Sequence, residues 1–400
     1  MKKNNYLFSI ALLTAGLLCT AASRAEESQN QVFTAISGTT LSGYVDTSMN
    51  WQFGDKKTST GRMNEGADRQ NGFNFNAAQI RFSKELDEDS SLWSAGYSAA
   101  LLIGPTVSDI TYASGDFALQ NAYVDLRAPV GNGLDFRFGA FESLIGYEVL
   151  ESYANPNYSR SYGYYLAHAQ SVGGLASYEF DIDDWLLSLS AGIANAYSNP
   201  TINARASNSA RLSYMGAANL IFPESTGFLE GTELYLAAVS GLSADGNLDA
   251  APDSRANTTG VNFCLSMPLP MEGLSWAFCY DHVGNSSRGT LPSGKANWAN
   301  AYGVYLIYEA TDRLSFANRI EYAEGTPGTF DVAGTHPNWG TSEEDQFLAD
   351  TFTVSYHLWE NVISRAELRW DHDLSANKRM TDDGTRDNAF GIGASIVYLF

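Results

Sequence analysis

The chain has 400 residues, 17% of them charged and 13% aromatic, with 36 Gly, 11 Pro and a formal charge of −21. Soluble chains average about 25% charged residues, and an apolar content of 44% without a glycine period excludes disordered and collagen-like classes. The one long apolar run lies at the extreme N-terminus, which excludes a helical membrane protein and leaves a soluble β-rich protein or an outer-membrane barrel.

In chain order, Lys2 and Lys3 precede an apolar run at 6–18, and Ser23-Arg24-Ala25 offers small residues before a cleavage point. This predicts a signal peptide over 1–25 and an exported chain beginning at Glu26. Cys19 does not make a lipobox, because Leu18 stands where a small residue is needed. Removing the signal leaves 21 basic and 45 acidic residues, a charge of −24. So acidic a chain argues against nucleic acid as a partner.

After a short lead-in over 26–40, residues 41–53 alternate apolar and polar. Leu41, Val45, Met49, Trp51 and Phe53 share one face, and Tyr44, Asp46, Ser48, Asn50 and Gln52 the other. Comparable segments follow at 74–83, 93–103, 121–128, 134–140, 171–180, 185–195, 210–222, 232–240, 261–267, 274–282, 300–308, 314–322, 346–358, 362–373 and 388–400. That makes about sixteen strands, most of them near the length a tilted strand needs to cross a bilayer. Connections alternate between short ones rich in turn residues (129–133, 181–184, 268–273, 310–312, 360–361) and long polar ones such as 54–72, 242–260 and 323–345. This asymmetry predicts an all-β, transmembrane antiparallel β-barrel over 41–400, with short periplasmic turns and long extracellular loops. The alternative is a two-sheet sandwich with its polar face outside, since alternation alone does not say which face is in.

Arg81, Arg127, Arg137, Arg211, Arg319, Arg365 and Arg369 lie within these segments, and no Lys shares their positions. Seven carboxylates (Asp46, Asp125, Glu233, Asp281, Glu321, Glu367 and Asp371) are their expected partners. A guanidinium holds a fixed fork of donors and stays charged, which suits a structured lining of a wet lumen.

Three stretches resemble the OmpL-like β-barrel porins, a bacterial outer-membrane family: SGYVDTSMNW (42–51), LQNAYVDLRAPVGNGLDFRFGAF (119–141) and LIGYEVLESYANPNYSRSY (144–162). The resemblance covers roughly 38–400, is most specific in 119–162, and is only general barrel character beyond about Tyr197. It implies a channel in the bacterial outer membrane, permits a homotrimer, and names no solute.

Residues 142–170 carry six tyrosines (147, 153, 158, 162, 164 and 165) with Glu142, Glu148, Glu151 and Arg160. So aromatic a loop would be costly to expose. Either it folds into the lumen as a constriction, or it packs on the rim or at a subunit interface. In the lumen, Glu148, Glu151 and Arg160 would face the Arg wall and set up a transverse field, and tyrosines could stack on sugar faces. Cys264 and Cys279 flank the 268–273 turn. Pairing Leu265 with Phe278 sets them opposite each other, which allows a disulfide or two reduced thiols.

No cofactor or metal is expected. The five His (168, 282, 336, 357, 372) are scattered, and His372 falls on the apolar face with Trp370. The stretch Asp245–Asp253 lacks the Gly and Glu of a calcium loop. The leading expectation is an outer-membrane porin for passive diffusion of small hydrophilic solutes, surrounded by lipid and lipopolysaccharide. The alternatives are a substrate-selective sugar channel, a non-transporting adhesin or structural barrel, and an outer-membrane hydrolase, for which no Ser, His and acid set converges.

Overall fold

The computed structural model describes residues 38–53, 70–87, 89, 91–110, 115–197, 202–203, 212–242, 257–285, 298–327, 329–330, 344–375, 380 and 386–400. The expected signal segment, most of the lead-in, Arg211, His336 and the 245–253 stretch lie outside the described residues.

Sixteen antiparallel strands among the described residues close into one barrel. The first eight are β1 (Thr40–Phe53), β2 (Gly72–Lys84), β3 (Ser94–Ile103), β4 (Phe117–Ala128), β5 (Leu134–Glu142), β6 (Gln170–Ile182), β7 (Trp185–Ala194) and β8 (Ser213–Ile221). The rest are β9 (Glu233–Leu242), β10 (Asn257–Pro268), β11 (Leu274–Asn285), β12 (Trp298–Glu309), β13 (Leu314–Gly325), β14 (Asp345–Trp359), β15 (Val362–Asp373) and β16 (Asn388–Leu399). Each pairs with its sequence neighbours, and β1 closes on β16, where Gly43 and Phe400 exchange backbone hydrogen bonds of 2.9 and 3.0 Å. Closure leaves no unpaired strand edge, the condition for placing a sheet in hydrocarbon.

The alternation that marked the strands also sorts their faces. In β1, Leu41, Val45, Met49, Trp51 and Phe53 are exposed on the outer wall, while Tyr44, Asp46, Ser48 and Asn50 are buried inside. In β16, Phe390, Ile392 and Ile396 likewise point out and Ser395 points in. The sandwich alternative therefore falls: the apolar face is the outside, as in a barrel that meets lipid. Two strands begin four residues earlier than the alternation indicated. β4 starts at Phe117 instead of 121 because an extra residue breaks the period there, and β10 starts at Asn257 because 257–260 has no apolar alternation to read.

Two bulges interrupt the strict alternation of the wall. Asp46 pairs with Ala77 and Thr47 with Phe75, so Asn76 is the extra residue and both Asn76 and Ala77 turn inward. In the β3–β4 pair Gln120 is extra, and Gln120 and Asn121 are both buried inside. Each bulge thus delivers consecutive side chains to one face, as simple alternation cannot.

Beside the charged lining expected from the arginines, the interior also carries an apolar sector. Met215, Tyr235, Val239 and Ile307 form an apolar sector across β8, β9 and β12, packed against Leu144 and Ile145 of the β5–β6 connection. Those two side chains need an apolar surface to cover them, and this sector supplies it.

Cys264 and Cys279 face each other across β10 and β11 with Cα atoms 4.2 Å apart and are joined as a disulfide. A loop of this size contributes about 3 kcal/mol in the chain-entropy account. A non-reduced digest should yield the linked peptides, and Cys279→Ser should lower the temperature at which the folded barrel survives detergent; recovering only reduced peptides would contradict the bond.

Candidate pore constriction

β5 ends at Glu142 and β6 begins at Gln170, and the 27 residues between them turn into the barrel. Its neck is closed by Ser143 N–H donating to Ala169 O at 3.0 Å, with the His168 ring between the Ser143 and Ser171 hydroxyls at 3.0 and 3.3 Å. From there the chain crosses the lumen in three stages.

First, Leu144 and Ile145 bury against the apolar sector, and the Tyr235 hydroxyl donates to Leu144 O at 2.5 Å. The Tyr147 ring lies 4.6 Å from that of Tyr305. Next comes a polar stretch. Glu148 accepts from Arg319 Nη1 at 2.6 Å, from the Tyr305 hydroxyl at 3.1 Å and from Ser161 N at 2.8 Å. Glu151 accepts from Gln120 Nε2 at 2.7 Å, Gln79 Nε2 at 2.9 Å and Arg81 Nη2 at 3.0 Å. The Ser152 hydroxyl donates to Asp46, and Ser152 O accepts from Arg365 Nη1 at 2.7 Å. Finally the chain reaches the far wall, where Tyr158 N and Ser159 N donate to Glu367 at 2.6 and 3.0 Å. Arg369 Nη1 donates to Arg160 O at 2.7 Å, and Tyr162 N to Glu321 at 2.6 Å. A single helical turn, α1 (Tyr162–Leu166), is capped by the Ser161 hydroxyl accepting from Tyr164 N at 3.0 Å. Gly163 faces the Asp281 carboxylate so closely that a Cβ would displace it, which is why α1 carries glycine at this point.

The sequence-predicted residues divide into two groups. Glu148, Arg160, Arg319, Arg365 and Arg369 are buried between the segment and the wall instead of facing open water. Arg160 is held by the carbonyls of Leu150 and Tyr158 in its own segment. Arg81, Arg127 and Arg137 keep partial exposure and sit in ion pairs with Glu151, Asp135 and Asp125. Asp135, Gln120 and Asn121 were missed by the sequence reading, the last two because the bulge hides their common direction. The tyrosines do not line a path as a set. Tyr158 and Tyr162 are buried, and Tyr162 stacks on Phe347 at 5.5 Å with Phe330 edge-on at 5.6 Å. His372 stacks on Trp370 on the outer face, as expected from alternation.

Electrostatically, the segment is held by groups that must keep their charge states. Burying an ion pair costs several kcal/mol per ion unless its hydrogen bonds are completed. Arg319 completes them: Nε donates to Glu321 at 2.7 Å, Nη1 to Glu148 and Ser159 O, and Nη2 to Arg160 O and Thr351. Arg319→Met would leave Glu148 and Glu321 buried without that cation, at a cost of about 3–5 kcal/mol. Protease cleavage within 147–165 should therefore rise in Arg319→Met, with Arg319→Lys intermediate because it keeps the charge and loses the fork.

Burial pushes the His168 imidazole down to about 4, with a backbone contact at Gln170 opposing it. Burial raises the Glu151 carboxyl, but Arg81 and the Gln120 and Gln79 amides outweigh it and hold it below the usual range. The unfolded imidazole titrates near 6.5, so the undocked neck takes up a proton before the docked one. Docking is at full strength above pH 6.5 and weakens as pH falls from 6.5 towards 4; the Glu151 contact fails only at lower pH. The difference in protease sensitivity between wild type and His168→Gln should therefore open across pH 6.5 to 4, and identical profiles would contradict a neutral buried imidazole.

Residues 38–400 match the protein family described as "Putative beta-barrel porin-2, OmpL-like". No curated protein matches the sequence. Among solved structures, a loop L8 deletion mutant of Vibrio cholerae OmpT is similar with a TM-score of 0.54 and 12% identity, over 90% of this chain and 99% of that one. The anion-selective porin from Comamonas acidovorans is similar at a TM-score of 0.54 and 13% identity, over 90% and 99% of the two chains. The trimer form of Vibrio cholerae OmpT follows at 0.50 and 11% identity, over 90% and 99%. At these identities the likeness speaks for the fold, and the family match over 38–400 carries the rest: the chain belongs to the OmpL-like β-barrel porin-2 family and is an outer-membrane porin, a channel for small solutes.

Proposed function

We propose that this porin passes small hydrophilic solutes by passive diffusion and that residues 143–169 form its constriction. The observation that carries the reading is the inward course of that segment: it is anchored to β9, β12, β13 and β15 on one side and to β1, β2 and β4 on the other. Sixteen strands enclose an aqueous channel, whereas eight would be filled by side chains. A segment across that channel narrows it where the wall alone would not. Glu148, Glu151 and Arg160 then act as anchors and trim of the constriction, and Arg81, Arg127 and Arg137 as its lining. The reading requires no catalytic residue and no cofactor.

The apolar wall would contact outer-membrane lipid and the long loops lipopolysaccharide, in a bacterial outer membrane crossed by all sixteen strands. A homotrimer, as in the trimer form of Vibrio OmpT, is the assembly the reading adopts. The purified protein should show discrete conductance steps in planar bilayers, and deletion of 147–165 should enlarge them. Equal steps with and without the segment would remove it as the constriction, and a silent bilayer would point to an adhesin or structural barrel.

A further inference from the structure

The charges inside the barrel differ in whether a passing ion can reach them. Arg319 and its partner Glu148 have side chains with 0% exposure, and Arg369 is equally sealed against Asp371. These groups lie behind the 143–169 segment, where a permeating ion would meet backbone and packed side chains first. The open side runs along β2 and β4–β6. There Asp135, Glu142 and Arg137 keep 32%, 34% and 30% of their side-chain surface.

On that open side every arginine is already held by carboxylate. Arg127 forks onto Asp135 with bonds of 2.6 and 2.7 Å, and Arg137 onto Asp125 at 2.8 and 3.0 Å. Arg81 donates to Glu151 at 3.0 Å, leaving Glu142 at 4.0 Å as a second carboxylate on the same cation. The Glu179 carboxylate, exposed near the turn end of β6, accepts from the Ser188 hydroxyl at 3.5 Å and makes no ion pair within 4 Å among the described residues, with Arg127 attracting it only from farther off. Asp181, two residues on and also exposed, takes an amide donor from Asn132 at 3.3 Å. A closed fork presents little net field, so the charges felt along this path are the surplus carboxylates at its two ends.

We propose that the open side of the lumen favours small cations over anions, with Glu142 at the inner narrowing and Glu179 near the turn-side mouth as specificity-determining residues. This rests on the porin reading above. It also separates the chain from its fold: the similar Comamonas barrel is an anion-selective porin, so the wall architecture leaves the sign of selectivity to which charges remain reachable.

The test is the reversal potential of single channels in planar bilayers under a tenfold KCl gradient at neutral pH. Wild type should favour K⁺ over Cl⁻. Glu142→Gln and Glu179→Gln should each lower the K⁺/Cl⁻ permeability ratio by about sevenfold at low salt, because one unit charge across about 7 Å of water changes the Boltzmann weight of each ion by a factor of about 2.7 in opposite directions. Arg137→Gln should raise the ratio, because it frees Asp125. Raising the salt should shrink all three effects. A Cl⁻-preferring wild type, or a K⁺ preference that neither glutamate variant changes, overturns the proposal while leaving the porin intact. Absence of any conductance overturns the porin reading itself.

Discussion

The interior is organised around one ion pair that never meets water. Arg319, on β13, reaches across to Glu148 of the inward segment at 2.6 Å while holding Glu321 of its own strand at 2.7 Å. Neither charge is tolerable alone at that depth, so each is the condition for the other's burial. The same guanidinium binds the carbonyls of Ser159 and Arg160. It therefore ties both limbs of the segment's turn to one wall strand, and that tie divides the lumen into a sealed sector and an open one.

Across this junction carboxylates and guanidiniums bind the backbone of the segment as well as each other. Arg365 and Arg369 bind carbonyls of the segment, and Glu367 takes two of its backbone N–H groups. A buried chain without regular secondary structure has to satisfy its peptide groups somewhere, and the charged lining of β13 and β15 does so here. The bulges at Asn76 and Gln120 serve the opposite wall. They place Asn76 on Asp46 at 3.0 Å and Gln120 on Glu151 at 2.7 Å, positions an unbulged ladder would have given to the lipid side.

The wall was legible in the sequence because lipid and lumen impose opposite demands on alternate residues. Strands such as β1 and β15 state their faces outright: Leu368 is exposed between buried Glu367 and Arg369. β9 was harder, since ELYLAAVSGL is apolar on both faces; Tyr235, Ala237 and Val239 turn inward and Leu236 outward. That doubly apolar run was the available sign that something apolar lies inside. The destination of 143–169 was not legible, because its tyrosines would suit a rim or an interface equally well. Its partners, Arg319, Glu321 and Glu367, are recognisable as lumen charges but carry no mark of whether they face water or chain.

The segment's anchors also fix an order of events in assembly. Glu148 meets Tyr305 across 157 residues of chain, and Ser152 meets Arg365 across 213. Leu144–Tyr162 is synthesised well before β12–β15, the strands that receive it, so it has no seat until the C-terminal third of the wall is in place. Contacts so distant in sequence form late, after the loop-closure entropy has been met. The inner segment therefore has to wait for β12–β15 before it can be seated, although it precedes two thirds of the strands in the chain.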